Sequence, residues 1–268
     1  MTETNLPDAA SVRTALAGTR WRRIEVVSET GSTNADLVAR AGAGEDLDGT
    51  GRIAGRQTAG RGRHARVWQT PDGQLAVSAA VAVRAEDAPS LGWLSLLTGL
   101  AVREAVAGVA GAAVELKWPN DILVADGPDA GKKLSGILSE FRPTGPGGIA
   151  VIGTGLNLDL TAAEPAIPTA ACLRSVAGTP VDATAVVVAY LSALSRLLDR
   201  WQDDLPGLAD DYRSASATLG RPVRLILPGD VEVIGTASAV DEQGRIVVDG
   251  PDGPVTAAAG DVTHLRPA

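Results

Sequence analysis

Between Ala113 and Leu158 the sequence sets down four strand-like stretches in succession, Ala113 to Trp118, Ile122 to Ala125, Lys133 to Phe141 and Gly148 to Leu158, with short connections. Parallel neighbours need a crossover of about a dozen residues or more, so this run is expected as an antiparallel or mixed sheet. Gln74 to Val83 reads as another strand, and so does Trp21 to Val27, where Ile24 and Val26 alternate with charged or exposed positions. Residues 1–20 read as a loose tail or short helix. Two helices should cover the sheet. Ser90 to about Gly108 is apolar around its axis, with Trp93, Leu94, Leu96, Leu97, Leu100 and Val102, and is expected to be buried. Asp182 to Trp201 carries Val187, Tyr190, Leu191, Leu194, Leu197, Leu198 and Trp201 at spacings of three and four, an amphipathic stripe. Ser32 or Thr33 is expected to cap a further helix, with Asp36 completing a Thr-x-x-Asp box. Past Leu219-Gly220 the character changes to short strands, Val223 to Leu227, Val231 to Val240, Ile246 to Val248 and Val255 to Ala259, between Gly- and Asp-rich turns. That pattern suggests a small SH3-like barrel. The expectation is an α+β chain with a larger unit over 1–216 and a satellite over 217–268.

Composition narrows the class. Hydrophobic residues make up 45% of 268, ample for a packed core, and no uncharged apolar run is long enough to span a bilayer. The polar start, MTETNLPDAAS, lacks the basic-then-apolar pattern of a signal peptide, so a cytoplasmic protein is expected. A single cysteine, Cys172, excludes an internal disulfide, and His64 and His264 supply no metal cluster. The net charge of −8 argues against a nucleic-acid partner.

Against that acidic background, GRIAGRQTAGRGRHARVW at 51–68 reads as a loop that packs Arg52, Arg56, Arg61, Arg63 and Arg66 between glycines with no acid. Such crowding is unfavourable unless an anion is bound, and Gly55, Gly60 and Gly62 let backbone amides approach that anion. The segment is neither a dinucleotide fingerprint nor a phosphate loop with Lys-Ser or Lys-Thr. A mobile solvated loop and a nucleic-acid patch are the alternatives on these residues alone. The only lysines, Lys117, Lys132 and Lys133, cluster between positions 117 and 133. A compact ammonium can follow a phosphate through a reaction as a planar guanidinium cannot. In GIAVIGTGLNL, Gly153, Gly155 and Asn157 share parity and hence one strand face, bare enough for a flat heterocycle whose edge Asn157 could bond. A bulge or tight strand packing explains the glycines equally well, and Gly136 invites the same two readings. LKWPND sets Lys117, Asn120 and Asp121 about a proline turn, where Asn and Asp commonly serve only the local backbone. Taken together these groups contain what an adenylate-forming site needs: cations to bring two anions together, and a carboxylate for the accompanying Mg²⁺.

In order along the chain, GSTN at 31–34, QTAGRGRHARVW at 57–68, LKWPNDI at 116–122, KLSGILSE at 133–140 and VIGTGLNL at 151–158 resemble the motifs of bacterial biotin protein ligases. The resemblance runs from about residue 25 to the C-terminus. It implies a class II synthetase-like catalytic domain bearing a small C-terminal SH3-like barrel. It also implies a two-step reaction, with biotin and ATP, accompanied by Mg²⁺, giving biotinyl-5′-AMP and then biotin on a lysine of a biotin carboxyl carrier protein. By the resemblance Ser32, Thr33, Asn34 and Gln57 would hold the ureido end of biotin. Gly60, Arg61, Gly62 and Arg63 would form a loop over biotin and adenylate, with Arg63 and Arg66 near phosphate. Lys133 would bridge the biotin carboxylate and the α-phosphate beside Gly136, Asn120 and Asn157 would read adenine, and Trp68 would pack near it. Lys117 and Asp121 would serve the triphosphate and Mg²⁺.

Two departures stand out. The loop more often reads GRGRRGR, so His64 and Ala65 replace an Arg and a Gly, and Ser135 stands where Ala is common. The family's bifunctional members carry an N-terminal DNA-binding domain, for which residues 1–20 leave no room, so ligation without repression is expected, in a monomer or weak homodimer away from membranes. Lipoate or octanoate transfer on the same fold is the other enzymatic reading, and a non-catalytic adenylate-binding module is the non-enzymatic one.

Overall fold

The computed structural model describes residues 6–160 and 167–265. Helix α1 (Ala9–Ala15), whose Asp8 cap accepts from the Ser11 N–H, leads into strand β1 (Arg23–Thr30). There follow α2 (Thr33–Gly42), β2 (Thr50–Gln57), β3 (Gln74–Val83) and α3 (Trp93–Ala110). A meander comes next: β4 (Val114–Lys117), β5 (Asp121–Val124), β6 (Lys133–Pro143) and β7 (Gly148–Asn157). Then come α4 (Leu173–Ala177), α5 (Ala183–Asp203) and α6 (Leu205–Ala215). Strands β8 (Pro222–Leu227), β9 (Val231–Val240), β10 (Ile246–Gly250), β11 (Gly253–Ala257) and β12 (Asp261–His264) close the chain.

The first seven strands form one sheet in the order β1-β2-β3-β7-β6-β5-β4, parallel between β1 and β2 and antiparallel elsewhere. The mixed sheet expected from the short connections is present, and α2 is the crossover that its one parallel pair requires. Period-two alternation sorts the sheet into two faces. Leu75, Val77, Ala79 and Val81 of β3, with Ala150, Ile152 and Leu156 of β7, share the main core with α3 and α5. Burying each such branched side chain contributes about 1.5–3 kcal/mol. On the opposite face Ala80, Ile149 and Val151 pack against Leu37 and Ala41 of α2. α2 begins at Thr33, so this face is left bare beyond the helix N-terminus. There it carries Ser78 and Ala76 on β3 and Gly153 and Gly155 on β7, and the opening above them is the site.

The apolar helix α3 is long enough by composition to cross a membrane, yet most of it is buried against α5 and the sheet, as a core helix would be.

Of the two capping candidates, Ser32 caps α2, accepting from the Ala35 N–H. Three expectations need correction. Asp36 completes no box: its carboxylate accepts from the Thr30 hydroxyl at 2.7 Å and Arg52 Nε at 2.8 Å, a charged partner that outcompetes a backbone amide. The first part of the arginine segment is strand β2, not loop, because Ile53 and Ala54 are buried beside β3. The C-terminal barrel is not closed: its strands run β11-β10-β9-β8-β12, with no pairing between β11 and β12 among the described residues. Val223, Leu225, Ala237, Ile246, Val248 and Val262 bury themselves in the main core, so the small sheet covers its apolar face without closing on itself. α6 and β12 were not anticipated.

Candidate active site

Sheet register assembles the centre. Across five neighbouring strands Lys117 pairs with Asp121, Asp121 with Gly136, Gly136 with Gly155, and Gly155 with Ala76 of β3. One row thus carries an ammonium and a carboxylate at one end and two side-chain-free positions in the middle. The neighbouring row pairs Leu138 with Gly153 and Gly153 with Ser78. Above these rows lies a cavity of about 460 Å³.

The glycines are seats for other side chains. A Cβ at Gly155 would stand 2.4 Å from the Trp68 ring, and one at Gly136 would stand 2.9 Å from both Trp68 and Lys133. A Cβ at Gly153 would meet Asn34 Oδ1 at 2.3 Å. The flat surface read from the sequence is therefore present, and in this structure the Trp68 indole lies on it, with Lys133 Nζ 5.1 Å from the ring centroid. Trp68 Nε1 is buried without a hydrogen-bond partner, an unmet donor in the middle of the cavity.

At one end, where α2 begins, Gln57 Oε1 accepts from the Thr33 N–H at 2.9 Å and lies 3.2 Å from the Thr33 hydroxyl. Ser32, Thr33 and Asn34 are buried there, and a helix N-terminus presents free amide donors to a polar ligand. At the other end Lys133 Nζ lies 2.5 Å from Asp121 Oδ1. Lys117, Arg61, Arg63 and Arg66 add cations, while Asp121 and Asp261 are the carboxylates lining the cavity, so the interior is strongly cationic within an acidic protein.

The arginines do not form the uncompensated cluster that their spacing suggested. Arg52 pairs with Glu25 and Asp36, Arg56 with Glu29, Arg61 with Glu140 at 2.7 Å, and Arg66 with Asp261. The carboxylates come from β1, α2, β6 and β12, elements remote in sequence. Arg63 alone of the five makes no ion pair among the described residues: its Nη1 donates to the Gly260 carbonyl at 3.2 Å. Burial pulls its guanidinium below the ordinary value, against the opposing influence of Asp261 and Asp121.

Of the expected site residues, Ser32, Thr33, Asn34, Gln57, Arg61, Gly62, Arg63, Arg66, Trp68, Lys117, Asn120, Asp121, Lys133 and Gly136 line this one cavity. Gly60 and Asn157 do not. Gly60 closes the neck of the loop, its carbonyl accepting from the Trp68 N–H at 2.9 Å. Asn157 lies behind the floor, where its carboxamide accepts from Gln74 at 2.6 Å and donates to the Ala171 carbonyl at 2.9 Å. The Asn120 amide donates to the Ile137 carbonyl at 2.9 Å and holds the Pro119 turn against β6. Sequence reasoning missed Ser78, Glu140 and the wall made by Asp261, Val262 and Thr263 of β12. Ser78 and Glu140 sit inside strands at parities shared with Gly153 and Leu138, a signal readable once the register is known.

The comparisons agree with this geometry. Residues 32–157 match the biotin/lipoate A/B protein ligase family and residues 218–265 the biotin protein ligase C terminal domain, which sets the class. The chain is 43% identical over 267 residues to the biotin--[acetyl-CoA-carboxylase] ligase of Mycobacterium tuberculosis, covering 97% of this chain and 96% of that one. It is 30% identical to the bifunctional ligase/repressor BirA of Escherichia coli, over 91% of this chain and 74% of the relative. The biotin protein ligase from Aquifex aeolicus, solved in complex with biotin and ATP, superposes with a TM-score of 0.74 at 26% identity, covering 92% of this chain and 100% of that one. The chain belongs to the biotin protein ligase family.

Proposed function

We propose that this chain is an ATP-dependent ligase that activates biotin as biotinyl-5′-AMP and transfers it to a lysine of a biotin carboxyl carrier protein. The observation that carries the reading is the register row, which sets Lys117 and Asp121, the latter paired with Lys133, beside a two-glycine floor at one end of a cavity whose other end is the polar N-terminus of α2. A molecule with a polar ring at one end and a carboxylate at the other fits that polarity.

Ser32, Thr33, Asn34 and Gln57 take the ureido ring. The Lys133 ammonium leaves Asp121 for the biotin carboxylate and α-phosphate, lowering the repulsion between two anions as they meet. A carboxylate oxygen bonds to the α-phosphorus, the bridge to the β-phosphate breaks, and pyrophosphate leaves. In the second step a neutral lysine amine of the carrier attacks the acyl carbon, the bond to AMP breaks, and the amine proton is lost. Arg63, half-buried without a carboxylate partner, faces phosphate, Arg66 and Lys117 flank it, and Trp68 and Asn120 border the adenine. Asn157 supports the floor from behind.

Mg²⁺ would accompany ATP and screen its phosphate charge. No cluster of three metal-ligating side chains exists among the described residues, so phosphate oxygens and water would hold most of its coordination sphere, with Asp121 as the protein ligand. A cytoplasmic setting follows from dependence on ATP and on a carrier protein.

The deciding experiment incubates the protein with ATP, Mg²⁺ and either biotin or lipoate, follows pyrophosphate and adenylate mass, and then adds a carrier domain. A biotin-dependent adenylate and one biotin added per carrier are expected. Turnover with lipoate alone would replace the substrate, and no turnover would leave a binding module.

A further inference from the structure

Glu140 pairs with Arg61, and the same carboxylate oxygen joins the two halves of the cavity. Its Oε2 accepts from Asn34 Nδ2 at 2.9 Å and from Arg61 Nη2 at 2.7 Å. Asn34 is buried at the start of α2, whereas Arg61 belongs to the more exposed loop.

The consequences for Asn34 follow from counting donors. A carboxamide has two N–H donors and one acceptor oxygen. Nδ2 donates to the Leu138 carbonyl at 3.0 Å and to Glu140, which uses both hydrogens. Oδ1 accepts from the fully buried Ser78 hydroxyl at 2.6 Å, which leaves it one lone pair. A flipped amide would aim N–H groups at Ser78 and an oxygen at two other oxygens, and Gly153 offers no side chain to pin the group either way. Asn34 therefore presents only an acceptor to the cavity and suits a ligand with an N–H donor, such as a cyclic urea.

We propose that Glu140 is a positioning residue: it fixes the Asn34 carboxamide as an acceptor for a ureido N–H, and through the same oxygen it ties Arg61, so that ring recognition and loop order share one group. This rests on the biotin reading above and adds to it the origin of the donor–acceptor polarity.

The test compares wild type, Glu140→Gln and Ser78→Ala by calorimetric binding of biotin and of ureido-N-methylbiotin, and by release of adenylate in single turnover. Glu140→Gln should weaken biotin binding by about tenfold, the scale of a lost charge-assisted bond. It should narrow the preference over the methylated analogue and release adenylate faster. Ser78→Ala acts on the same amide from the other side, so it should narrow the preference while adenylate stays held. It also serves where Glu140→Gln fails to fold. Unchanged preference in both variants, or equal adenylate release from Glu140→Gln and wild type, overturns the proposal. Calorimetry needs no turnover, so a wild type that binds biotin with this preference but forms no adenylate would count against the ligase reading and leave the role of Glu140 standing.

Discussion

The floor of the cavity and its lid are built on opposite principles. The floor is central sheet, where β6 and β7 pair over nine consecutive positions and Gly153, Gly155 and Gly136 are each covered by another side chain. The lid, residues 59–68, has a single isolated bridge of its own, between Arg61 and Val67, and Val67 is 77% exposed. Arginines hold it to other elements: Arg61 to β6, Arg66 to β12, and Arg63 to a backbone carbonyl just before β12. Backbone ladders break only with the fold, whereas partly exposed ion pairs are worth about 0–1 kcal/mol each and exchange readily for a ligand's charges. The floor is thus fixed by the fold itself, and the lid by contacts that cost little to exchange.

The largest effect should come from the group that serves both. Lys133 starts on the floor strand, contacts Asp121 and lies over the lid's Trp68. Lys133→Ala should lower adenylate formation by about 10²–10³-fold, the scale of losing one preorganised charge donor, measured by pyrophosphate release at saturating biotin. A rate within a few-fold of wild type would remove Lys133 from the chemistry. Next, Arg63→Gly, which takes from the lid its half-buried guanidinium without an ion pair, should release adenylate at least about tenfold faster and label bystander lysines, with biotin binding less affected. Equal retention would show that the lid closes without it.

The glycines sharpen the contrast. Gly153→Ala drives a methyl into Asn34, which is clamped by three partners and cannot yield, so biotin affinity should fall by about tenfold or more. Gly155→Ala collides with Trp68, which the lid can carry away, so its cost in biotin affinity should be smaller. Calorimetry on the two variants checks the order, and the reverse order would mean that the lid is the more rigid half.

Legibility in the sequence divided along the same line. Residues 74–83, and the strands of the 113–158 meander to within a few positions, were readable because each rests on local alternation and a local turn. The shared face of Gly153 and Gly155 was readable by parity alone. The partners of the arginines were not, since Glu25, Asp36, Glu140 and Asp261 lie far from them along the chain and only the folded sheet brings them together. Asn157 shares parity with the glycines but stands at the end of β7, where the Gln74 and Ala171 partners take its amide out of the cavity. The open C-terminal sheet escaped for a similar reason, because what replaces barrel closure is a long-range contact with the main core.

The lid's attachment to β12 should show a smaller effect. Asp261→Asn removes the partner of the exposed Arg66 guanidinium and should change stability by less than about 1 kcal/mol, while raising proteolytic nicking within residues 59–68. Nicking at the wild-type rate would mean that the Arg63 contact alone holds the lid.

The smallest expected effect lies where β12 meets the floor. His264 Nε2 sits 3.1 Å from the Thr218 hydroxyl, which also accepts from the Trp118 N–H at 3.1 Å, directly behind the Pro119 turn. Burial first, then Lys117 and Arg221, lower the imidazole from 6.5 to about 4. With the folded value below the unfolded one, the unfolded chain takes up its proton first as pH falls. The stability held by neutral His264 is thus complete above the unfolded value and is lost between there and about 4. Half-exposure weakens the effect through solvent screening, so it must be read as a difference between two proteins. The Tm of wild type should fall further across that window than the Tm of His264→Gln, which keeps a polar side chain but cannot titrate. Parallel curves would mean that protonation costs nothing at this junction and that β12 is joined to the floor through packing alone.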